Sequence, residues 1–200
     1  RSAARPRAKP GETGDGDMKS MYYSEPQTEL LSLLKTLGGM WKRQVHMLLW
    51  LRFGMDKKAV DRTIRQLRYG GVLRDMGAYV LAADRRFDIQ LARAVDISLA
   101  LSGNRAPDIF PRKKPVFLTA YLPERGVRLC VLYIPVGKER KRCLTLDSLR
   151  VENTMKTLYA LLLDEAGQAA ALRAETPCLL AWPDENEKLE LKKWEGIRNE

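Results

Sequence analysis

One histidine in 200 residues, His46, is the sharpest scarcity in this chain. A catalytic triad, a His-based acid/base pair or a multi-histidine metal site relies on imidazoles that exchange protons near neutral pH, so most hydrolase mechanisms lose their support. His46 itself lies in the helix-like run KRQVHMLLW and reads as a surface or partly packed side chain. Cysteine is nearly as scarce. Cys130, Cys143 and Cys178 are scattered and lack CxxC spacing, which argues against a disulfide framework or structural zinc site and for buried free thiols. No run approaches the roughly 18 to 20 uncharged apolar residues of a membrane-spanning helix. The N-terminal stretch lacks the apolar centre of a secretory signal, so a cytoplasmic protein is expected. P-loop, GxGxxG and clustered metal-ligand motifs are missing too, and no cofactor and no metal are expected.

Positive charge, by contrast, is abundant. Lys and Arg number 35 against 25 Asp and Glu, a formal net charge of +10. Phosphates reward such an excess through counterion release, which makes nucleic acid the leading partner. A hydrophobic content of 45% is enough for one compact domain or two small ones.

Residues 1–25 read as a flexible tail: the first 20, RSAARPRAKPGETGDGDMKS, hold too few large apolar residues to offset the entropy of ordering. Met18 and Met21 stand just before the first apolar segment, so the tail is either an upstream extension or an expression remnant. From Pro26, Leu30, Leu33, Leu34 and Leu37 mark one helical face that stops at Gly38-Gly39. Met40-Trp41 form a short extended link. Residues 42–50 give a second helix with Val45, Leu48 and Leu49 inward, broken at Phe53-Gly54. Asp56 is suited to cap a third helix, which closes at Tyr69-Gly70-Gly71.

That third helix carries the functional argument. Val60, Ile64 and Leu67 share one face, leaving Lys57, Lys58, Arg62, Arg65 and Arg68 over the remainder, an apolar back and cationic front suited to a major groove. Lys58, Arg62 and Arg65 are the candidates for groove insertion. Lys57, Lys42 and Arg43 lie at helix beginnings and suit phosphate positioning. Two short strands follow, Val72-Leu73 and Tyr79-Val80-Leu81, around residues 74–78 with Gly77 in the turn. Arg74 is the single cation expected at the tip of this wing. Three helices and a hairpin in this order predict a winged helix-turn-helix domain over residues 26–83.

A boundary is expected at Asp84-Arg85-Arg86-Phe87, followed by a connecting helix across 84–103. Residues 104–200 read as a small α+β domain with an antiparallel or mixed sheet. Residues 116–122 and 127–134 predict a hairpin around Pro123-Glu124-Arg125-Gly126, and residues 143–146 a further strand. Met155, Leu158, Tyr159 and Leu162 have helical spacing, residues 168–173 a shorter helix, and 178–182 and 188–194 two last strands. The basic run GKERKR at 137–142 reads as a loop or charged connection. Arg105, Arg112, Lys113 and Lys114 form another basic group. Trp41, Trp50, Trp182 and Trp194 sit in apolar patterns as core or interface anchors.

Pro107-Asp108 precedes paired strands as the first acid of a PD-(D/E)xK nuclease does, but the second acid and lysine are missing: residues 127–135 hold no acid, and Lys138-Glu139 come later in reversed order. A degenerate nuclease-like fold is therefore the sharpest form of the α+β expectation. The segments TELLSLLKTLGGMWKRQVHMLL and DKKAVDRTIRQLRYGGVLRDMGAYVLA, with the Pro-Asp before paired strands, resemble the replication-relaxation type of protein of plasmids and conjugative elements. The resemblance implies a winged helix ahead of an α+β domain, and a role in replication, mobilisation or transcription control in a bacterium. The expected function is non-enzymatic binding of double-stranded DNA, alone or as a homodimer. The alternatives are an adaptor whose winged helix binds a partner protein, and a metal-dependent nuclease.

Overall fold

The computed structural model describes residues 23–110, 113–152 and 156–196. The expected tail through Tyr22, Arg112, Met155 and residues 197–200 lie outside them.

Helix α1 (Glu25–Leu37) starts on Ser24, with Gln27 Oε1 accepting from the Ser24 amide at 2.9 Å, and buries Leu30, Leu33, Leu34 and Leu37. Two glycines then do different work. Gly38 takes a positive φ of 80°, whereas a Cβ on Gly39 would lie 2.5 Å from Leu81 Cδ2 and 3.0 Å from the Val80 carbonyl oxygen. Close approach of two strands requires the second glycine. These are β1 (Gly39–Trp41) and β3 (Tyr79–Ala82), paired antiparallel with Met40 opposite Val80. Between them come α2 (Lys42–Phe53), α3 (Lys57–Tyr69) and β2 (Leu73–Asp75), and the small sheet has the order β1-β3-β2.

Helix α4 (Ile89–Ser102) is capped by Asp88, whose Oδ1 accepts from the Leu91 amide at 3.0 Å. It is buried along most of its length because it is packed on two sides, by α2 and by a six-stranded sheet. That sheet runs β4 (Asp108–Phe110), β5 (Leu118–Leu122), β6 (Val127–Ile134), β7 (Thr157–Leu163), β8 (Cys178–Pro183) and β9 (Leu189–Trp194) in spatial order. It is mixed: β6, β7 and β8 are parallel, and the pairings on either side are antiparallel. Alternation sorts its side chains into two layers. Leu129, Val131, Ala160, Leu162 and Ala181 join the apolar cluster of α1 to α4, while Leu132, Ile134, Leu161, Leu163 and Leu180 pack with α5 (Glu139–Glu152). At one end of the sheet Asp164 accepts from Tyr133 Oη at 2.9 Å and from Gln90 Nε2 at 2.7 Å, tying α4 to β6 and β7.

The mixed α+β class and the paired strands 118–122 and 127–134 agree with the sequence. Three local expectations do not. Residues 143–146 are helical, because Cys143 and Leu146 are buried at a spacing of three and leave Leu144 outside, where alternation would have buried it. The GKERKR run enters that same helix. Residues 157–163 form β7, not a helix, since TLYALLL is apolar on every side and matches any period, and a parallel strand covered on both faces demands such a run. Of the tryptophans expected as core or interface anchors, Trp50 is 58% exposed and lies outside the core.

Candidate nucleic-acid interface

Helix α3 presents two opposed faces. Asp56 caps it through a 2.7 Å bond from the Ala59 amide, and Val60, Thr63, Ile64 and Leu67 are buried. Successive helical residues turn by about 100°, which places Lys58, Arg62, Arg65 and Tyr69 in one stripe opposite Leu67. Lys58 and Arg65 lie about 10 Å apart along the axis and Lys58 and Tyr69 about 16 Å, a span that a major groove about 12 Å wide accommodates lengthwise. Lys58, Arg62 and Arg65 are exposed and have no ion-pair partner among the described residues. Lys57 is exposed beside them at the helix start.

The one acid of α3, Asp61, does not dilute this face. It turns to α2, where its Oδ1 meets His46 Nε2 at 2.8 Å. His46 is therefore a helix-to-helix link. Arg68 leans over the Tyr69 ring, 5.1 Å from its centroid, and Tyr69 is 76% exposed. Sequence reasoning used Tyr69 only to mark the end of the helix. Its position four residues after Arg65 and eleven after Lys58 was the signal that places it on the cationic stripe.

The other expected contacts sit differently. Lys42 Nζ is 2.8 Å from Asp75 Oδ1, an ion pair that fastens α2 to the hairpin. Burial opposes the Asp75 charge, but the Lys42 and Gly77 hydrogen bonds hold its carboxyl below the usual range. Arg43 donates to Asp96 through Nη2 at 2.5 Å and Nη1 at 3.3 Å and lies over Trp41. Asp96 also accepts from Gln44 Nε2 at 2.8 Å, and burial pushes its pKa up in spite of these donors. Arg74 is in β2, not at the hairpin tip, and donates back to the Arg85 carbonyl. The tip is Met76, Gly77 and Ala78, with Asp75 Oδ1 accepting from the Gly77 amide at 3.0 Å. Of the eight basic candidates, Lys57, Lys58, Arg62, Arg65 and Arg68 thus share α3, and the other three serve intramolecular contacts.

No known protein family, curated protein or solved structure matches this chain.

Asp108, the residue of nuclease interest, opens the edge strand β4. Arg52 Nη2 contacts its Oδ1 at 3.0 Å and the Pro107 carbonyl at 2.9 Å, while Arg52 Nη1 binds Glu29. The guanidinium thus ties α1, α2 and β4 together. Strands β5 (LTAYL) and β6 (VRLCVLYI) contain no carboxylate, and no group of three metal-ligating side chains occurs among the described residues. Burial raises the thiol pKa of all three cysteines, that of Cys178 to about 12. Among the described residues, no helix is long and apolar enough to cross a membrane.

Proposed function

We propose that this chain is a non-enzymatic, cytoplasmic protein that binds double-stranded DNA through a winged helix, with α3 as the recognition helix. One observation carries the reading: Lys58, Arg62 and Arg65 form a cationic stripe opposite a buried face, on a helix held by its own cap and by the His46 to Asp61 link. The helix that carries them is fixed before binding, so only the side chains of these cations have freedom left to lose on meeting phosphate. The order helix, strand, helix, helix, strand, strand, with the small sheet arranged β1-β3-β2, supports the winged-helix reading. An apolar tip and a folded-back Arg74 leave the wing a smaller electrostatic share than α3. The Arg52 contact supports a structural role for Asp108. Membership of the replication-relaxation type, and hence work on a bacterial mobile element, is the biological setting we propose from the two N-terminal segments.

Selection of bound fragments from a random duplex library tests this. Enrichment of a shared sequence, lost when Lys58, Arg62 and Arg65 are all replaced by Ala, is expected. A protein that retains no duplex over rounds of selection at low salt would sink the proposal.

A further inference from the structure

Helix α5 carries a second set of open cations, on the face of the sheet opposite to the α1 to α4 cluster. Cys143 and Leu146 are buried and Leu149 packs against them, which turns Arg140, Lys141 and Leu144 outward. Lys138, Arg140 and Lys141 are exposed and have no ion-pair partner among the described residues. Nearby acids are engaged inward. Glu139 Oε1 accepts from Gln168 Nε2 and from the Gly137 amide, both at 3.0 Å, and Asp147 Oδ1 accepts from the Thr176 amide at 2.9 Å and from Thr176 Oγ1 at 2.7 Å. Glu152 ends the helix, about 18 Å from Arg140 along its axis.

Folding brings two further cations to the same place. Lys113 and Lys114 precede β5, and the antiparallel pairing of Leu118 with Val131 puts the start of β5 beside the end of β6, from which α5 departs. The Val116 amide on the Lys113 carbonyl at 3.0 Å, and the Phe117 ring 5.4 Å from that of Tyr133, hold this segment there. Both lysines are exposed and outside ion pairs among the described residues. Asp164 at this end is engaged by Tyr133 and Gln90, and Glu187 by Arg93. Five open cations therefore share the end of the sheet with two exposed acids outside ion pairs, Glu165 and Glu185, which follow β7 and β8.

Such an excess of one sign fits phosphate. Phe110, 47% exposed, stands alone as an exposed ring at that end among the described residues, so a run of bases has no stacking platform. Val136 and Leu144 are the exposed aliphatic side chains beside the cations. Together they offer less apolar carbon than the single acyl chain that binds a bilayer only marginally. We propose that Lys113, Lys114, Lys138, Arg140 and Lys141 form a second phosphate-binding surface, which takes a stretch of nucleic-acid backbone other than the one on α3. It rests on the DNA-binding reading for the identity of the polyanion. With α4 and the sheet between them, the two surfaces hold separate segments.

Fluorescence anisotropy of the full chain on a scrambled duplex of about two helical turns, with Lys58, Arg62 and Arg65 already replaced by Ala, reads this surface with α3 silenced. Salt-dependent binding is expected to persist. Replacing Lys138, Arg140 and Lys141 by Ala as well should lower the slope of log Kd against log salt by about 2.7, three contacts at about 0.9 each. Replacing Lys35, Lys192 and Lys193 instead removes the same charge from exposed positions elsewhere and should leave the slope in place. All six side chains are exposed, so the melting temperature should hold. No duplex binding in the α3 background, a slope indifferent to the α5 changes, or an equal fall from the control set overturns the assignment, as does retention by phosphatidylserine vesicles in place of duplex. Failure of the α3 reading shows separately, as equal binding by wild type and the α3 background.

Discussion

Replacing Arg62 and Arg65 together by Ala removes two of the three cations at the centre of the α3 stripe without touching its buried face. On B-form duplex each phosphate contact steepens the dependence of log Kd on log salt by about 0.9, so between about 50 and about 200 mM salt one contact accounts for about a 3.5-fold change in affinity. Two contacts account for about 12-fold over the same range. The double variant should therefore lose about 12-fold less affinity than wild type across that salt interval, besides binding more weakly throughout. Fluorescence anisotropy on a labelled duplex about two helical turns long, of scrambled sequence, isolates this phosphate share from base readout. Arg43→Ala is the internal control. Arg43 is already paired with Asp96, so its loss should lower stability and leave the slope in place. Equal slopes for wild type and the Arg62, Arg65 variant, or an equal flattening by Arg43→Ala, would refute the placement of DNA on α3.

Arg52→Ala breaks contacts to Glu29, Asp108 and the Pro107 carbonyl from a guanidinium side chain that is 24% exposed. A loss of about 2 kcal/mol is expected, a fall of about 4 to 8 °C in melting temperature by calorimetry. Lys42→Met should cost about 1 kcal/mol near neutral pH. Because the folded Asp75 pKa is depressed, the wild-type advantage is present above the ordinary value of 3.8 and disappears as pH falls through the folded pKa, which urea melts in the two ranges would show. All three cysteines are buried with raised thiol pKa, so a disulfide reagent at about pH 8 should label none of them in the native chain and all three in denaturant. Rapid native labelling would contradict the packing around β6 to β8.

The first three helices and the hairpin were legible because their signals are local. Asp56 stands next to the helix it caps, Leu30 to Leu37 recur at helical spacing, and Gly77 marks a turn three residues wide. In the second half the local code was ambiguous. After Thr157 the run that forms β7 has no charged or strongly polar position, so it fits a helix and a doubly covered strand equally, and only the neighbours β6 and β8 select the strand. Residues 139–152 show the converse, where Leu144 and Leu146 alternate like a strand but the sheet offers a face only to Cys143 and Leu146.

The cationic stripe of α3 was determined by sequence alone, since a helix with Val60, Ile64 and Leu67 inward has no choice but to turn Lys58, Arg62 and Arg65 outward. Which other cations remain open was not. Lys42 and Arg43 look no different from Lys57 and Lys58 along the chain, yet their carboxylates, Asp75 and Asp96, come from residues 33 and 53 positions away and reach them only through folding. Tertiary structure decided the same way for Asp108, paired with an arginine 56 residues earlier. Periodicity fixes where a side chain points on its own helix, and long-range charge pairing, which depends on chain closure, decides whether that side chain is free to meet a partner.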